Sequence, residues 1–278
     1  MTRRKLLRWG AGSVFAHALL THEQQASANM PTPPDVLPGT DKNRKLKVVF
    51  VGAHVDDWLV CAGTLARYAR EGHEVLCFSF TPGDSMSIAN ECHVPVEKLA
   101  ARRREEAVQG TKIIGAQFRV LDQHNQEMHV DSQSYLQFNK TLAAEKPDVV
   151  FAMWPIEYHP DHRAAANLAF NSWLQSGMKF DFYFSETQDA GEMSPQLFLP
   201  SRWVDIASVM ELKHQAVIAN SLVKDSWPEF EIWAQFRGHE YGCQYAEAFA
   251  HLATVGTIKP PENPVPGLWS SGLGLARD

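Results

Sequence analysis

The feature that most constrains the fold of this 278-residue chain is the alternation of short apolar runs with helical patterns. Three apolar runs of strand length cover residues 46–52, 74–80 and 147–154. The helical patterns that follow them cover residues 59–70, 96–114 and 160–175. Weaker patterns indicate strands at 118–121, 180–186 and 203–206 and helices at 134–145 and 210–222. Alternation of this kind predicts an α/β, Rossmann-like, mostly parallel sheet with helices on both faces.

Composition excludes several classes of protein. Hydrophobic residues make up 45% of the chain and charged residues 21%, as in an ordinary globular protein. The formal net charge of -6 and the pI near 6.1 argue against a nucleic-acid partner, which would usually meet a basic face. No apolar run reaches the roughly 18 residues of a membrane span, so we expect no integral membrane segment.

The N-terminus has the pattern of an export signal. Thr2, Arg3 and Arg4 precede a mildly apolar stretch, and cleavage after Ala28 fits a small-x-small pattern. We therefore predict a twin-arginine-type signal peptide at 1–28, a Pro-rich linker at 29–45 and a single catalytic domain at 46–278. This organisation places the protein in the bacterial periplasm or outside the cell. A basic tail without a targeting role is the alternative.

The four cysteines do not form a metal or redox motif. No C-x-x-C pair occurs, so a thiolate zinc site has little support. A disulfide among them cannot be assigned from the sequence. The four residues are Cys61, Cys77, Cys92 and Cys243.

Two polar turns follow two of the predicted strands. The first contains His54, Asp56 and Asp57, and the second contains His159-Pro160-Asp161-His162 at the start of a helix. Ligands of parallel sheets bind beyond the carboxyl ends of the strands, so neighbouring strands would bring both turns together. His54, Asp57 and one distant histidine would then supply two imidazoles and a carboxylate, a donor set that suits zinc. Polar turns and helix caps without a metal are the other interpretation.

The segments "AHVDD" and "HPDH" resemble the paired motifs of the PIG-L/LmbE family of zinc-dependent N-deacetylases. The segments at 102–116 and 237–249 resemble its arginine- and glutamate-rich helix and its Tyr-Ala-Glu-x-Phe segment. The resemblance implies that one zinc ion is held by three side chains: His54, Asp57 and His162. It further implies that Asp56 is the general base, that His159 stabilises the oxyanion or assists as an acid, and that Asp161 orients His159 or supports its charge.

The first motif departs from the family pattern at two positions. The family usually has proline and glutamate where this chain has Val55 and Trp58. Loss of the proline ring leaves φ of residue 55 free, so the turn is less preorganised. These departures bear on the substrate more than on the metal ligands.

The predicted function is hydrolysis of the N-acetyl group of an N-acetylglucosamine-type sugar or its conjugate, a small-molecule substrate. An amidase for a larger glycoconjugate amide and a non-catalytic carbohydrate-binding protein are the alternatives, and iron or cobalt could replace zinc. The sequence specifies neither the substrate-binding residues nor the oligomeric state. Candidate contacts are Asp84 near the cleft and three tryptophans that could stack on sugars: Trp154, Trp227 and Trp233.

Overall fold

A computed structural model describes residues 37–39, 44–121, 123–187 and 198–252 of the chain. The predicted signal peptide lies outside these residues, as does most of the predicted linker. Within the described part, seven strands form one sheet. The strands are β1 (Lys47–Gly52), β2 (Glu74–Ser79), β3 (Gln117–Val120), β4 (Val149–Met153), β5 (Asp181–Ser185), β6 (Arg202–Asp205) and β7 (Ala246–Leu252).

The helices of the described residues surround this sheet. They are α1 (Ala62–Arg70), α2 (Met86–Glu91), α3 (Val96–Ile113), α4 (Ser132–Glu145), α5 (Pro160–Gln175), α6 (Met210–Ile218) and α7 (Trp227–Tyr241). A 3₁₀ turn at Asp57–Cys61 precedes α1, so the first part of the helix predicted at 59–70 is wound more tightly than an α-helix. The elements α2, α7 and β7 were not predicted from the sequence.

The strand order is β3-β2-β1-β4-β5-β7-β6, and the first five strands in this order are parallel. The chain proceeds from β1 to one side through β2 and β3 and then returns to the other side of β1 with β4 and β5. The topological switch point therefore lies between β1 and β4, where ligands of doubly wound sheets bind. Both polar turns follow these two neighbouring strands, as the sequence analysis required.

The two remaining strands are antiparallel. β7 pairs with both β5 and β6 in the antiparallel sense. The prediction of a mostly parallel α/β sheet is confirmed, with this antiparallel extension at one edge.

The central strands are buried on both faces. In β1, Val48 and Phe50 pack into one hydrophobic cluster, and Val49 and Val51 pack into the cluster on the opposite face. Helix α1 contributes to the first cluster and α5 to the second. Burial on both faces explains why the parallel strands have continuous apolar runs instead of alternating patterns.

Part of the predicted linker packs against the domain. Leu37 is 2% exposed, and the Tyr68 hydroxyl donates to the Pro38 carbonyl at 2.7 Å. The four cysteines are free, and Cys61 and Cys77 are buried. Among the described helices, none combines the length and apolar character that crossing a bilayer requires.

Candidate metal centre

The turn after β1 folds the Asp57 side chain back onto the end of the strand. Asp57 Oδ2 accepts hydrogen bonds from the backbone N–H groups of Ala53 at 2.7 Å and His54 at 2.9 Å. A Cβ atom at Gly52 would lie 2.7 Å from the Asp57 Cβ, so this close approach requires glycine at position 52. The arrangement fixes one carboxylate oxygen of Asp57 and leaves Oδ1 directed at the second turn.

The second turn opens helix α5. His159 is the N-cap residue, and its Nδ1 accepts the backbone N–H of Asp161 at 3.2 Å. Pro160 occupies the first helical turn, where its missing N–H costs nothing. His162 follows in that turn and is buried beside the end of β1.

Three donor atoms from the two turns form a small triangle. His54 Nδ1 lies 2.9 Å from His162 Nε2 and 3.5 Å from Asp57 Oδ1, and His162 Nε2 lies 3.3 Å from the same oxygen. Tetrahedral zinc ligands at bond lengths of 2.0–2.1 Å are separated by about 3.3 Å. The triangle therefore has the dimensions of a metal coordination face.

The opposite nitrogens of both imidazoles contact buried carboxylates. His54 Nε2 lies 3.2 Å from Asp161 Oδ2, and His162 Nδ1 lies 2.8 Å from Glu157 Oε1. A carboxylate at the far nitrogen favours the tautomer with the proton there, and in that tautomer the near nitrogens present lone pairs to a metal beside Asp57. Two imidazole nitrogens and an anionic oxygen at these distances need positive charge among them, which either a proton or a metal ion supplies, so the donor set fits a divalent metal.

The pKa shifts of these groups show that the site attracts positive charge. Against the effect of burial, the pKa values of His54 and His162 are raised by the neighbouring carboxylates, which favours protonated rings beside Asp57, and a metal would bind in place of those protons. Burial alone would raise the pKa of Asp57, but the imidazoles of His162 and His54 hold this pKa well below its usual value. Burial lowers the pKa of His54, yet Asp57 and Asp161 raise it by more than burial lowers it. Asp57 is therefore an anionic donor throughout the physiological pH range.

His159 offers a second possible donor set. One ligand atom from each of His54, His159 and His162 lies within 4.8 Å of the others, a looser group than the triangle with Asp57. The His159 ring is stacked on the His162 ring with centroids 4.7 Å apart, and its Nδ1 is occupied by the helix cap. Burial, followed by the two neighbouring histidines, lowers the pKa of His159, which favours the neutral imidazole with its proton on Nε2.

Asp56 lines the same cleft as the triangle and forms an ion pair with Arg103. Both carboxylate oxygens of Asp56 accept from Arg103 Nη2 at 2.9 Å, and Arg103 Nη1 donates to the Gly83 carbonyl at 3.1 Å. Arg103 is 3% exposed, whereas the Asp56 side chain is 16% exposed. Asp56 is thus held in a fixed orientation at the edge of the cleft without contributing to the triangle.

The structure brings together all six predicted site residues and changes the partner of one. The carboxylate of Asp161 contacts His54, and its contact with His159 is made by the backbone N–H. This differs from the expected orientation of His159 by the Asp161 side chain. The reason is that the first helical turn directs that side chain towards the end of β1. The Asp161 carboxylate also accepts the N–H of Gln126 at 2.6 Å.

Two residues of the site were missed by the sequence analysis. Glu157 lies two residues before His159 in a loop, and no periodic pattern indicates that its side chain turns inward. Arg103 is one of three consecutive arginines, but only Arg103 shares a helical face with the apolar residues Leu99 and Ala107. That register is a signal that could have identified it.

The triangle opens into a cleft of about 330 Å³, within the range typical of small-molecule sites. Its walls combine the polar residues above with partly buried apolar side chains such as Val60, Val223 and Phe230. Asp84 lines a neighbouring cleft and contacts His124 at 2.6 Å. The three candidate tryptophans, Trp154, Trp227 and Trp233, do not line the cleft that contains the triangle.

Comparison with models of known protein families finds a match for part of the chain. The family model described as PIG-L, GlcNAc-PI de-N-acetylase, matches residues 49–173, a stretch that contains all of the site residues named above. Over this stretch the chain matches the PIG-L family, and the predicted resemblance is confirmed.

Individual relatives agree with this assignment. A diacetylchitobiose deacetylase from Thermococcus kodakarensis is 27% identical over 232 residues, covering 75% of this chain and 84% of that protein. The N,N'-diacetylchitobiose deacetylase of Pyrococcus horikoshii superposes with a TM-score of 0.66 at 23% identity, covering 91% of this chain and 98% of that one.

A third structure shows that the fold alone does not determine the reaction. The 4-carboxy-2-hydroxymuconate hydratase GalB of Pseudomonas putida KT2440 superposes with a TM-score of 0.67 at 21% identity, covering 80% of this chain and all of that one. One fold therefore supports different chemistries, and the side chains of the site have to carry the functional argument.

Proposed function

We propose that this protein is a zinc-dependent hydrolase that removes the N-acetyl group from an N-acetylglucosamine-type sugar or its conjugate. The observation that carries the proposal is the donor triangle with Asp56 beside it, within the stretch that matches the PIG-L family. A carboxylate next to the metal ligands, but not bonded to them, is what hydrolysis of an amide by water requires.

Three side chains would hold the ion: His54, Asp57 and His162. Zinc in such a set acts as a Lewis acid that lowers the pKa of water and polarises a carbonyl group. Asp161 and Glu157 keep the two imidazoles in the tautomer that donates a lone pair to the metal. The triangle with Asp57 is preferred to the three-histidine group because its donor distances are shorter and because His159 Nδ1 is already occupied.

Asp56 is the proton acceptor in this proposal. Arg103 fixes both of its oxygens, so the carboxylate needs no reorganisation when water attacks the acetamide carbonyl. The proton taken from water is later returned to the departing amine of the sugar.

His159 is placed to stabilise the negative charge that develops on the carbonyl oxygen. Its Nδ1 accepts the N–H of Asp161, so the neutral ring carries its proton on Nε2, where it can be donated as a hydrogen bond. Stacking on His162 fixes the direction of that donor. A preorganised donor of this kind is typically worth about 10²–10³ in rate.

The substrate class rests on relatives. The matching family is described as a GlcNAc-PI de-N-acetylase, and the two relatives are described as diacetylchitobiose deacetylases. These descriptions all name N-acetylglucosamine compounds. The cleft of about 330 Å³ is of a size for one sugar residue, and its mixed polar and apolar walls suit a sugar ring.

Acetate release tests the proposal. The purified protein is loaded with one equivalent of zinc and incubated with N-acetylglucosamine, its disaccharide and a glycolipid conjugate, with the metal-free protein as the control. We expect acetate and free amine in equal amounts from at least one substrate, and none without metal. Sugar binding without acetate release would favour a carbohydrate-binding protein. Absence of both zinc binding and acetate would contradict the proposal.

A further inference from the structure

The turn that carries the predicted ligand Asp57 is closed by the indole of Trp58. The indole N–H donates to the Val55 carbonyl at 2.9 Å, and the side chain is 1% exposed. Val55 is fully buried. The hydrogen bond joins the two residues at which the chain departs from the PIG-L motif, so one departure restrains the other.

Helix α3 makes room for this indole. A Cβ atom at Gly110 would lie 3.0 Å from two atoms of the six-membered ring of Trp58, closer than carbon atoms normally pack. Glycine in the interior of an α-helix is unfavourable relative to alanine. The helix therefore contains an unfavourable residue at the position where the ring contacts it.

The same helix holds the neighbouring carboxylate. Arg103, which binds both oxygens of Asp56, precedes Gly110 by seven residues, about two helical turns, and lies on the same face of α3. The turn thus contacts α3 at two places, through Asp56 with Arg103 and through Trp58 with Gly110. Asp57 lies between these two contacts.

We propose that Trp58 is a positioning residue of the active site, and that the absence of a side chain at Gly110 makes room for its indole ring. Packing of the indole against α3 sets the distance between the turn and the helix. That distance places Asp56 on Arg103 and directs Asp57 Oδ1 into the donor triangle. The effect on turnover rests on the proposed reaction, whereas the effect on zinc affinity rests only on the donor triangle and not on the substrate.

A double-mutant cycle with Trp58→Phe and Gly110→Ala tests the proposal. In the otherwise unchanged protein, Gly110→Ala forces the ring away and should weaken zinc binding about tenfold, the lower end of losses from residues that orient ligands. It should also lower kcat with little change in KM. In the Trp58→Phe background the shorter ring leaves space, so Gly110→Ala should cause no further loss and should raise Tm through its higher helix propensity. Gln109→Ala, on the exposed side of α3, is the matched control.

The deciding result is the difference in zinc affinity: Gly110→Ala should weaken binding when Trp58 is present and should leave it unchanged in Trp58→Phe. Equal loss of zinc affinity in both, or no loss in either, would overturn the positioning role. Gly110→Ala alone, compared with Gln109→Ala, keeps the test available if Trp58→Phe does not fold. A wild-type protein that binds zinc but releases no acetate would contradict the proposed function, and the affinity cycle would still decide the role of Trp58.

Discussion

Each of the two buried imidazoles at the centre of the site uses one nitrogen for the donor triangle and the other for a carboxylate. Asp161 serves His54 in this way, and Glu157 serves His162. These carboxylates do not touch the triangle but decide which nitrogen of each ring carries the proton. In the proposed metal centre, the two carboxylates would therefore help to present the ligating nitrogens to the ion.

The first prediction follows from Glu157. Replacing its carboxylate with the amide in Glu157→Gln keeps the side-chain size but weakens the hold on the His162 proton. We expect zinc affinity to fall about 10–100-fold while the far-UV circular dichroism stays the same. Competition with a zinc-binding dye measures the affinity, and Glu97→Gln on the exposed start of α3 is the control. Unchanged affinity in Glu157→Gln would exclude this role.

The sequence predicted most of the site because its chemistry lies in two short turns. His54 with Asp57 and His159 with His162 have spacings that place both members of each pair on one side of a turn. Glu157 was missed because loop conformation, which the sequence does not encode periodically, directs it inward. The family resemblance implies His159 as the partner of Asp161, whereas the observed contact with His54 joins the turns after two different strands.

At the scale of elements, the loop after β3 links the metal centre to the neighbouring cleft. Gln126 donates its N–H to Asp161, and Asn125 donates its N–H to Asp84 at 2.9 Å. His124 adds a side-chain contact with the same Asp84 at 2.6 Å. Hydrogen bonds to Asp84 on one side and to Asp161 on the other therefore hold this part of the loop between the two clefts.

The second prediction concerns the pH dependence of this loop. The hydrogen bond to Asp84, followed by its charge, raises the pKa of His124 above 6.5. The contribution of the pair is therefore fully present below that value and is lost as pH rises through the raised pKa. Hydrogen exchange of residues 123–129, corrected for the intrinsic rate, should show less protection at about pH 9 than at about pH 6. In His124→Gln this difference should vanish, and its persistence there would rule out the pair as its cause.

The elements that the sequence failed to predict share a physical reason. Helix α2 has six residues, too few for a periodic pattern to emerge. Helix α7 begins with Trp227 and Pro228 and carries aromatic side chains around much of its circumference, so no single apolar face is visible. Strand β7 has the sequence AEAFAHL, in which alanine alternates with polar and aromatic residues and β-branched residues are absent. Its position is set by antiparallel pairing with β5 and β6, and such tertiary pairing overrides weak local preference.

At the scale of the whole molecule, one sheet of the described residues supports the site through the order of its strands. The switch point between β1 and β4 brings together residues separated by more than one hundred positions, such as His54 and His162. Apolar runs and helical spacing were sufficient to predict the α/β class. The strand order was not, because pairing between distant strands depends on packing that short patterns do not record.

The third prediction concerns where the protein is located, and it remains a proposal. Arg3 and Arg4 precede a mildly apolar stretch, a pattern typical of twin-arginine signals. Replacing both with lysine should retain the precursor inside the cell, because that export route requires the arginine pair. Fractionation with an antibody measures the mature form in the periplasm. Export of Arg3→Lys/Arg4→Lys at the wild-type rate would refute the assignment.

The division of labour between the adjacent aspartates is the central claim, and the turnover and zinc content of Asp56→Asn test it most directly. The amide oxygen can still accept from Arg103, so the fold and one zinc per chain should be retained, whereas the proton acceptor is lost. The account predicts a fall in kcat of about 10²–10⁴ with little change in KM. The matched variant Asp57→Asn should instead lose the metal. Normal turnover of zinc-loaded Asp56→Asn, or loss of its zinc, would contradict the account.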